Sequence, residues 1–268
     1  MPKLKVAVAG CLGRMGQEIT NQIISNKKLS FVGGFEYKLH PMINKKISDI
    51  ANINSNLIVT SNADQVIKNA DVLIDFTTPI STLSNIKKAA ASKTAIVIGT
   101  TGINANQKNK IKNFSKKIPV LMSSNMSLGV NLLFNLVHQT ASALKESEYD
   151  IEIAETHHKH KVDAPSGTAL SLGEYAASGR KTTLNKSQVM DRTKINTKRK
   201  KGDIGFSVTR GGEIAGEHTI SFISANDRID LVHKANNRSI FVSGAIEAAI
   251  FISRKKNGFF DMKDLLLS

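Results

Sequence analysis

The chain of 268 residues has one cysteine, no tryptophan and no long apolar run. A single cysteine excludes an internal disulfide framework, which suits a reducing compartment. No stretch approaches the roughly 20 consecutive apolar residues of a membrane-spanning helix. The apolar stretch at the N-terminus is also too short for a signal peptide. The sequence therefore predicts a cytoplasmic protein without a membrane segment.

Acidic residues are scarce relative to basic ones: 22 Asp and Glu stand against 37 Lys and Arg, a formal net charge of +15. Such an excess can indicate a nucleic-acid partner. However, the lysines are scattered, aromatic residues are few and no nucleic-acid-binding motif is recognisable. We therefore expect no nucleic-acid partner, and we expect the densest basic cluster, residues 198–201, to lie in a loop.

The first 125 residues alternate β-rich runs with helical patterns, which is typical of βαβ units and a mostly parallel sheet. The predicted strands are Lys5–Ala9, Phe31–Glu36, Leu57–Thr60, Val72–Phe76, Ala95–Ile98 and Pro119–Met122. After Leu128 the pattern changes to helices over 128–144 and 166–177, the β-rich runs Asp150–Thr156, Ile204–Arg210, His218–Ser224 and Ile229–Lys234, and a helix over Ser243–Ile252. This second part predicts a mixed or antiparallel sheet.

A glycine-rich loop, Gly10-Cys-Leu-Gly13-Arg-Met-Gly16, joins the first strand to the first helix. Glycine lets the backbone turn sharply and approach a pyrophosphate, to which the helix N-terminus presents N–H groups. Glu36 ends the second strand, where an acid accepts hydrogen bonds from the adenosine ribose and repels a 2′-phosphate. The pattern predicts a dinucleotide site that prefers NADH, while Lys38 leaves NADPH possible. The alternative is a glycine-rich turn in an unrelated α/β domain.

Two further loops follow predicted strands, at the edge where open α/β sheets bind ligands. These loops are Gly99-Thr-Thr-Gly102 and Ser123-Ser-Asn-Met126. Each alone is an ordinary turn. Together with residues 75–77, they are candidates to line a nicotinamide pocket.

The run from Glu155 to Thr168 places three histidines and two lysines directly before a Pro-Ser-Gly-Thr turn that opens a helix. Backbone N–H groups of Gly167 and Thr168, assisted by Lys161 and His158, can hold a carboxylate. Histidine and lysine are also the usual proton donors near neutral pH. The run therefore predicts a site that binds a small dianion and gives it a proton.

Two other interpretations of this run stay open. A metal site could use His157, His158, His160, Glu155 and Asp163, but the spacing matches no zinc pattern and the lysines would repel a cation. The run could also be a solvated basic loop. We expect no metal, and we expect structural roles for His138, His218 and His233.

The run closely resembles the signature of the 4-hydroxy-tetrahydrodipicolinate reductase family, also called dihydrodipicolinate reductase, of lysine and diaminopimelate biosynthesis. The resemblance extends to 13–16, 99–102, 125–131, 216–219 and 258–265. It implies reduction by NAD(P)H of a cyclic imine dicarboxylate that forms as 4-hydroxy-tetrahydrodipicolinate loses water. Leu12 and Tyr37 depart from a glycine and an arginine that are found in the family. The second departure weighs against efficient use of NADPH.

The resemblance also implies roles for individual residues. His157 and Lys161 would be catalytic, and His158, Gly167 and Thr168 would bind the substrate carboxylates. The dinucleotide would lie on Gly10, Cys11, Leu12, Gly13, Arg14, Met15, Glu36, Gly99, Thr100, Thr101, Ser123, Ser124, Asn125 and Met126. The family further implies a homotetramer built on a shared sheet of the second domain.

The predicted fold class is α/β, a Rossmann-type parallel-sheet dinucleotide-binding domain plus a smaller α+β domain with a mixed sheet. The first domain is predicted to cover residues 1–127 and 238–268, and the substrate-binding and oligomerisation domain residues 128–237. Another Rossmann oxidoreductase of a small dicarboxylate, or a catalytically dead dinucleotide-binding regulator, remains an alternative. The paired His157 and Lys161 argue against the regulator.

Overall fold

In the computed structural model, which describes residues 2–49, 51 and 53–268, strands and helices alternate through the first half of the chain. The strands are β1 (Leu4–Ala9), β2 (Leu29–Phe35), β3 (Val72–Asp75), β4 (Ala95–Ile98), β5 (Pro119–Met122), β6 (Asp150–His157), β7 (Gln188–Val189), β8 (Ile204–Arg210), β9 (Gly216–Ile223), β10 (Arg228–Ala235) and β11 (Gly258–Phe260). The α-helices are α1 (Arg14–Ser25), α2 (Ala63–Lys68), α3 (Pro79–Ser92), α4 (Ala105–Phe114), α5 (Leu128–Ala143), α6 (Gly167–Gly179), α7 (Leu184–Ser187), α8 (Ser239–Ile252) and α9 (Met262–Leu266). The first compact unit comprises the described residues up to Leu128 together with Ser239–Ser268, and the second is Gly129–Arg238.

The first unit is built on a parallel sheet with the strand order β11-β5-β4-β3-β1-β2. Strands β3 and β4 are buried along their whole length, as expected of a parallel sheet that helices cover on both faces. Apolar side chains on the two faces form separate clusters, one of which includes α1 and α8 and the other α2, α3 and α4. The predicted Rossmann-type sheet is confirmed.

Helix starts in this unit follow from local side chains. Thr78 caps α3 by accepting a hydrogen bond from the Ser81 N–H, and Pro79 takes the first helical position. Asn62 caps α2, because its Oδ1 accepts the N–H of Gln65 at 3.1 Å.

Two segments differ from the predicted elements. Leu57–Thr60 is not a strand, since only isolated bridges join Thr60 to Phe35 and Ile58 to Lys46. Ile58 is 56% exposed, so its apolar side chain does not face the core as the pattern suggested. Conversely, β11 adds an edge strand that pairs parallel with β5. The three residues of β11 are too few to show the alternation of apolar and polar side chains that predicts a strand.

The second unit has a mixed sheet in the order β10-β9-β6-β8-β7, with β8 parallel to β6 and β9 antiparallel to it. Alternate residues of β6, Ile151 and Ile153, pack with α5 and α6 on one face of the sheet. This confirms the predicted mixed sheet. The polar stretch 179–201 forms the short elements α7 and β7 and a 3₁₀ turn at Arg192–Lys194.

Candidate active site

The carboxyl ends of β1, β3, β4 and β5 bring four loops of the first unit to one sheet edge. The Ser123 N–H donates to the Ile98 carbonyl, and the Gly99 N–H donates to the Asp75 carbonyl at 2.9 Å. A Cβ placed on Gly10 would lie 2.9 Å from Thr77 Cγ2. The loops at Gly10–Met15, residues 75–77, Gly99–Thr101 and Ser123–Met126 therefore follow the four neighbouring parallel strands β1, β3, β4 and β5, as predicted for a ligand edge.

Glycine is required in the first loop for two different reasons. Gly10 has a φ of +67°, a conformation that costs little only for glycine. Gly16 packs so closely that a Cβ there would lie 2.0 Å from the Gly10 carbonyl oxygen. Within the described residues no side chain caps α1 at Gly13, so the N–H groups of its first turn have no capping side chain as acceptor. This is the arrangement that holds a pyrophosphate.

A cavity of about 580 Å³ lies beside this loop, entirely within the first unit. Its lining includes Gly10, Leu12, Gly13 and Glu36 of the predicted site. It also includes Phe35, Tyr37, Lys38, His40, Ser61, Ala63, Phe76, Thr77, Thr78, Ser81, Ser84, Asn85 and Lys88. Open backbone, a carboxylate and several hydroxyls are what the adenosine end of a dinucleotide requires, so the residues fit the predicted cofactor.

Glu36 is held in place by the loop itself, since its Oε1 accepts the Leu12 N–H at 2.8 Å. Burial, followed in size by the charge of Glu36, raises the pKa of the Cys11 thiol to about 12. Cys11 is fully buried and its Sγ packs against Gly34. It is a packing residue, so any contact it makes with a dinucleotide would come from its backbone.

The buried carboxyl of Asp75 organises the neighbouring loops. It accepts hydrogen bonds from the Thr77 N–H at 3.0 Å, from the Thr77 hydroxyl at 2.6 Å and from Asn85 Nδ2 at 3.0 Å. The Thr100 hydroxyl lies 2.8 Å from that of Thr82 and accepts the Thr77 N–H. Burial raises the pKa of Asp75, and the bonds from Thr77 and Asn85 oppose that shift. The side chain of Thr100, a predicted cofactor residue, is thus used internally.

The remaining predicted cofactor residues differ in exposure. Arg14, Thr101 and Ser124 are exposed, and Met15 and Asn125 are partly exposed. The Ser123 hydroxyl donates to the Asn125 carbonyl at 2.7 Å. Met126 is buried, and its carbonyl oxygen would lie 1.7 Å from a Cβ on Gly244 of α8. Helix α8 therefore packs directly under this loop.

In the second unit, His157 ends β6 and its ring is almost buried, with 8% of the residue exposed. Its Nδ1 lies 2.5 Å from Oε2 of Glu155, which points to the same face two residues earlier. Arg210, which ends β8, donates two hydrogen bonds of 2.8 Å to the two oxygens of Glu155. The side chain of Glu155 is fully buried. Arg210, Glu155 and His157 thus form a continuous series of hydrogen bonds.

Ser166 links this group to the start of α6. Its N–H donates to Glu155 Oε1 at 2.9 Å, while its hydroxyl accepts the Ala169 N–H and so caps the helix. The same hydroxyl lies 3.2 Å from Nε2 of His218, whose ring contacts that of His157 edge to face. Burial, followed by the nearby charge of His157, lowers the pKa of His218 to about 4. His218 is therefore neutral at pH 7.

Lys161 lies in the loop after His157, and its Nζ forms an ion pair of 2.8 Å with Asp163. The Lys161 hydrogen bond lowers the pKa of Asp163, and a hydrogen bond from the Gly167 backbone contributes in the same direction. Asp163 thus engages two of the groups predicted to bind a substrate carboxylate. A Cβ built on Gly167 would meet no described atom within 4 Å, so the start of α6 is open.

The other residues of the basic run are placed less centrally. The His158 N–H donates to the Ile214 carbonyl at 2.8 Å, and its ring lies 6.2 Å from that of His160. Lys159 lies 3.4 Å from Glu213 and the exposed His160 3.9 Å from it. Thr168 is partly exposed in the first turn of α6. Among the described residues no group of three or more His, Cys, Asp or Glu side chains is placed to hold a metal ion.

Each of the two units matches a known protein family. Residues 4–126 match the family dihydrodipicolinate reductase, N-terminus, and residues 129–266 match dihydrodipicolinate reductase, C-terminus. The chain belongs to the dihydrodipicolinate reductase family. The predicted family and enzyme class, an oxidoreductase, are confirmed.

Dihydrodipicolinate reductases from other organisms resemble this chain along its length. The 4-hydroxy-tetrahydrodipicolinate reductase of Parvibaculum lavamentivorans is 44% identical over 265 residues, covering 98% of this chain and 97% of that protein. That of Polynucleobacter necessarius is 39% identical over 263 residues, 98% of each protein. A solved structure of dipicolinate-bound dihydrodipicolinate reductase from Paenisporosarcina sp. TG-14 has a TM-score of 0.78 at 24% identity and covers 97% of each chain. That likeness shows the fold.

Two members of this site, Glu155 and Arg210, are not among the predicted site residues. The sequence pattern indicates Glu155 only as a candidate metal ligand, although its spacing of two from His157 places both on one face once the strand extends to His157. Arg210 carried no sequence signal, because the parallel pairing of His157 with Arg210 depends on the register of β6 and β8. His218 was expected to be structural, and its contact with His157 brings it next to the site.

Proposed function

We propose that this chain reduces 4-hydroxy-tetrahydrodipicolinate, by way of dihydrodipicolinate, to tetrahydrodipicolinate in lysine and diaminopimelate biosynthesis. Water leaves the substrate, and one hydride and one proton are added to the resulting conjugated imine. The nicotinamide supplies the hydride when it is bound. One observation carries the proposal: a buried histidine held by a carboxylate stands directly before Lys161 and the open start of α6, in a chain whose two halves match the family.

The residues of the second unit fit a substrate with two carboxylates. Lys161 and the Gly167 backbone already engage the Asp163 carboxylate. We infer that a substrate carboxylate takes that position, with His158 and Thr168 as further donors. Because Asp163 is the exposed partner of this ion pair, a substrate carboxylate can take its place on Lys161 at little cost.

Protonation is assigned to His157 and Lys161. A positioned acid is needed because hydride delivery leaves electron density that must be protonated. His157 uses Nδ1 toward Glu155, which leaves Nε2 for the substrate. Lys161 carries an ammonium that both binds the anion and can give up a proton.

Turnover with freshly generated substrate tests the function. We expect oxidation of NADH that depends on both enzyme and substrate. Oxidation with another small dicarboxylate and none with this one would favour a different Rossmann oxidoreductase. Dinucleotide binding without any oxidation above background would favour a regulator and contradict the enzyme.

Glu36 is expected to make NADH the better cofactor, because its carboxylate repels a 2′-phosphate. Glu36→Gln keeps an oxygen to accept the Leu12 N–H but removes the charge. We expect the ratio of kcat/KM for NADPH to that for NADH to rise about tenfold, equivalent to about 1.4 kcal/mol. Glu18→Gln, an exposed site on α1, makes the same charge change as a control. A wild-type enzyme with a strong NADPH preference would refute the assignment.

The sheet of the second unit supports the homotetramer. Helices α5 and α6 cover one face, whereas the opposite face carries small and polar side chains. That face includes Ala154, Thr156, Ser207, Thr209, Thr219 and Ser221. It also bears charges of both signs, with Arg228 beside Asp230 and Lys234 beside Glu217. Small residues and balanced charge suit packing against the same face of a second copy.

Ala154→Arg is expected to disrupt this assembly. A long cation in the centre of the face cannot pack against an equivalent sheet about 10 Å away. Light scattering coupled to size exclusion should give a tetramer for the wild type and a smaller species for the variant. Asn109→Arg, on the exposed side of α4, adds the same charge and should remain tetrameric. A wild-type monomer, or a tetrameric Ala154→Arg variant, would contradict this interface.

We also place the enzyme in the cytoplasm and expect no nucleic-acid partner. Cys11 is a free, buried thiol, in keeping with a reducing compartment. Within the basic cluster, Arg199 forms ion pairs with Asp150 and Glu152, so part of that charge is neutralised internally. In the part of the chain that the structure describes, no helix is long and apolar enough to cross a bilayer.

A further inference from the structure

Glu155 accepts hydrogen bonds from three residues of the second unit, His157, Ser166 and Arg210. The Arg210 guanidinium binds both of its oxygens at 2.8 Å, and the Ser166 N–H adds a bond of 2.9 Å to Oε1. Burial raises the pKa of Glu155, but the bonds from Arg210, His157 and Ser166 outweigh it and hold the pKa below its usual range. Glu155 is therefore a carboxylate, which can only accept hydrogen bonds.

This contact decides which nitrogen of His157 carries hydrogen. Because Glu155 only accepts, Nδ1 must be the donor in the 2.5 Å contact. Nε2 then has a free lone pair in the neutral ring and an N–H in the imidazolium. A Cβ on Gly216 would lie 2.9 Å from this Nε2, so a glycine at this position keeps that edge of the ring clear.

The charges around His157 oppose one another. Burial lowers its pKa, the hydrogen bond and charge of Glu155 raise it, and the charges of Lys161 and Arg210 lower it, with a net downward shift. His218 on β9 also faces the ring and is neutral. Among the described groups that act most strongly on the charge of His157, Glu155 is the anion and Lys161 and Arg210 are the cations.

We propose that Glu155, itself held by Arg210, is a positioning residue that sets the tautomer and the charge of His157. The role in turnover rests on the function proposed above, whereas the role in fixing the tautomer does not. Arg210 fixes the carboxylate with a bidentate pair, and Glu155 then directs Nε2 outward for proton transfer. The assignment makes Arg210 and Glu155 part of the proton-donating machinery without any contact with substrate.

Glu155→Gln tests the proposal, because an amide of the same shape cannot accept from every donor and carries no charge. We expect kcat to fall about 10²-fold, the low end of what a positioned acid contributes, with the KM for the dinucleotide unchanged.

If His157 acts as an acid, activity falls as the pH rises through its pKa. Loss of the Glu155 charge lowers that pKa, so in the variant the fall should begin at lower pH. Glu148→Gln, at an exposed ion pair, should change none of these values.

Nitrogen NMR of the imidazole supplies a readout that does not need turnover. In the wild type above the His157 pKa we expect the Nδ1–H tautomer, and in Glu155→Gln a mixture of both tautomers. An unchanged tautomer and pH profile in that variant would overturn the proposal.

If Glu155→Gln fails to fold, the wild type and Arg210→Lys are measured instead. An Nε2–H tautomer in the wild type, or Arg210→Lys with an unchanged kcat, would overturn it. A wild type with the expected tautomer but no turnover would instead contradict the proposed function and leave the tautomer assignment intact.

Discussion

Replacing His157 by glutamine is expected to lower kcat by about 10²- to 10⁴-fold, the range that a positioned acid contributes. Glu155 keeps the hydrogen bonds from Arg210 and from the Ser166 N–H, which do not involve His157. The buried carboxylate therefore does not lose its compensation, and the fold should persist. The dissociation constant for the dinucleotide should stay within about twofold of the wild type, because the predicted cofactor residues belong to the other unit.

Steady-state kinetics and calorimetric titration with NADH measure these two quantities separately. His160→Gln serves as the matched control, since the His160 side chain is 68% exposed in the same loop and has no assigned role. We expect the control to keep the wild-type kcat. If His157→Gln retains the wild-type kcat/KM, His157 is not the proton donor.

Gly16→Ala is expected to damage the dinucleotide site and the stability of the first unit together. The added methyl would lie 2.0 Å from the Gly10 carbonyl oxygen and 2.8 Å from Cys11 Cα. Both neighbours are backbone atoms, so the first turn of α1 must move away from the loop. Overpacking of this kind costs about 1–3 kcal/mol of unfolding free energy. We expect binding of NADH to weaken more than about tenfold.

Thermal unfolding followed by circular dichroism and titration with NADH test this variant. Gly13→Ala is the matched control for stability, because its Cβ would lie 3.3 Å from the same Gly10 oxygen. It should lose clearly less unfolding free energy than Gly16→Ala. An unchanged midpoint and an unchanged dissociation constant for Gly16→Ala would show that the loop does not hold the dinucleotide in this way.

Elements with a strong pattern were predictable from the sequence. Strands Ala95–Ile98 and Pro119–Met122 form with the predicted bounds, because continuous apolar runs of that length are typical of buried parallel strands. Leu57–Thr60 has a similar composition but packs only Val59 inward, so composition misled there. The short β11 carries too little pattern to predict and depends on its pairing with β5.

The glycine-rich loop, the basic run and the family could be recognised from the sequence, because each depends on residues close together in the chain. The fold was needed to show that Arg210 lies against Glu155, that Gly216 leaves His157 Nε2 clear and that Asp75 organises the loops around Thr100. The Asp75–Thr100 and Glu155–Arg210 contacts join residues that are 25 and 55 positions apart. Strand register and loop packing set such contacts. No local pattern encodes the partner of a buried charge, although the charge must have one.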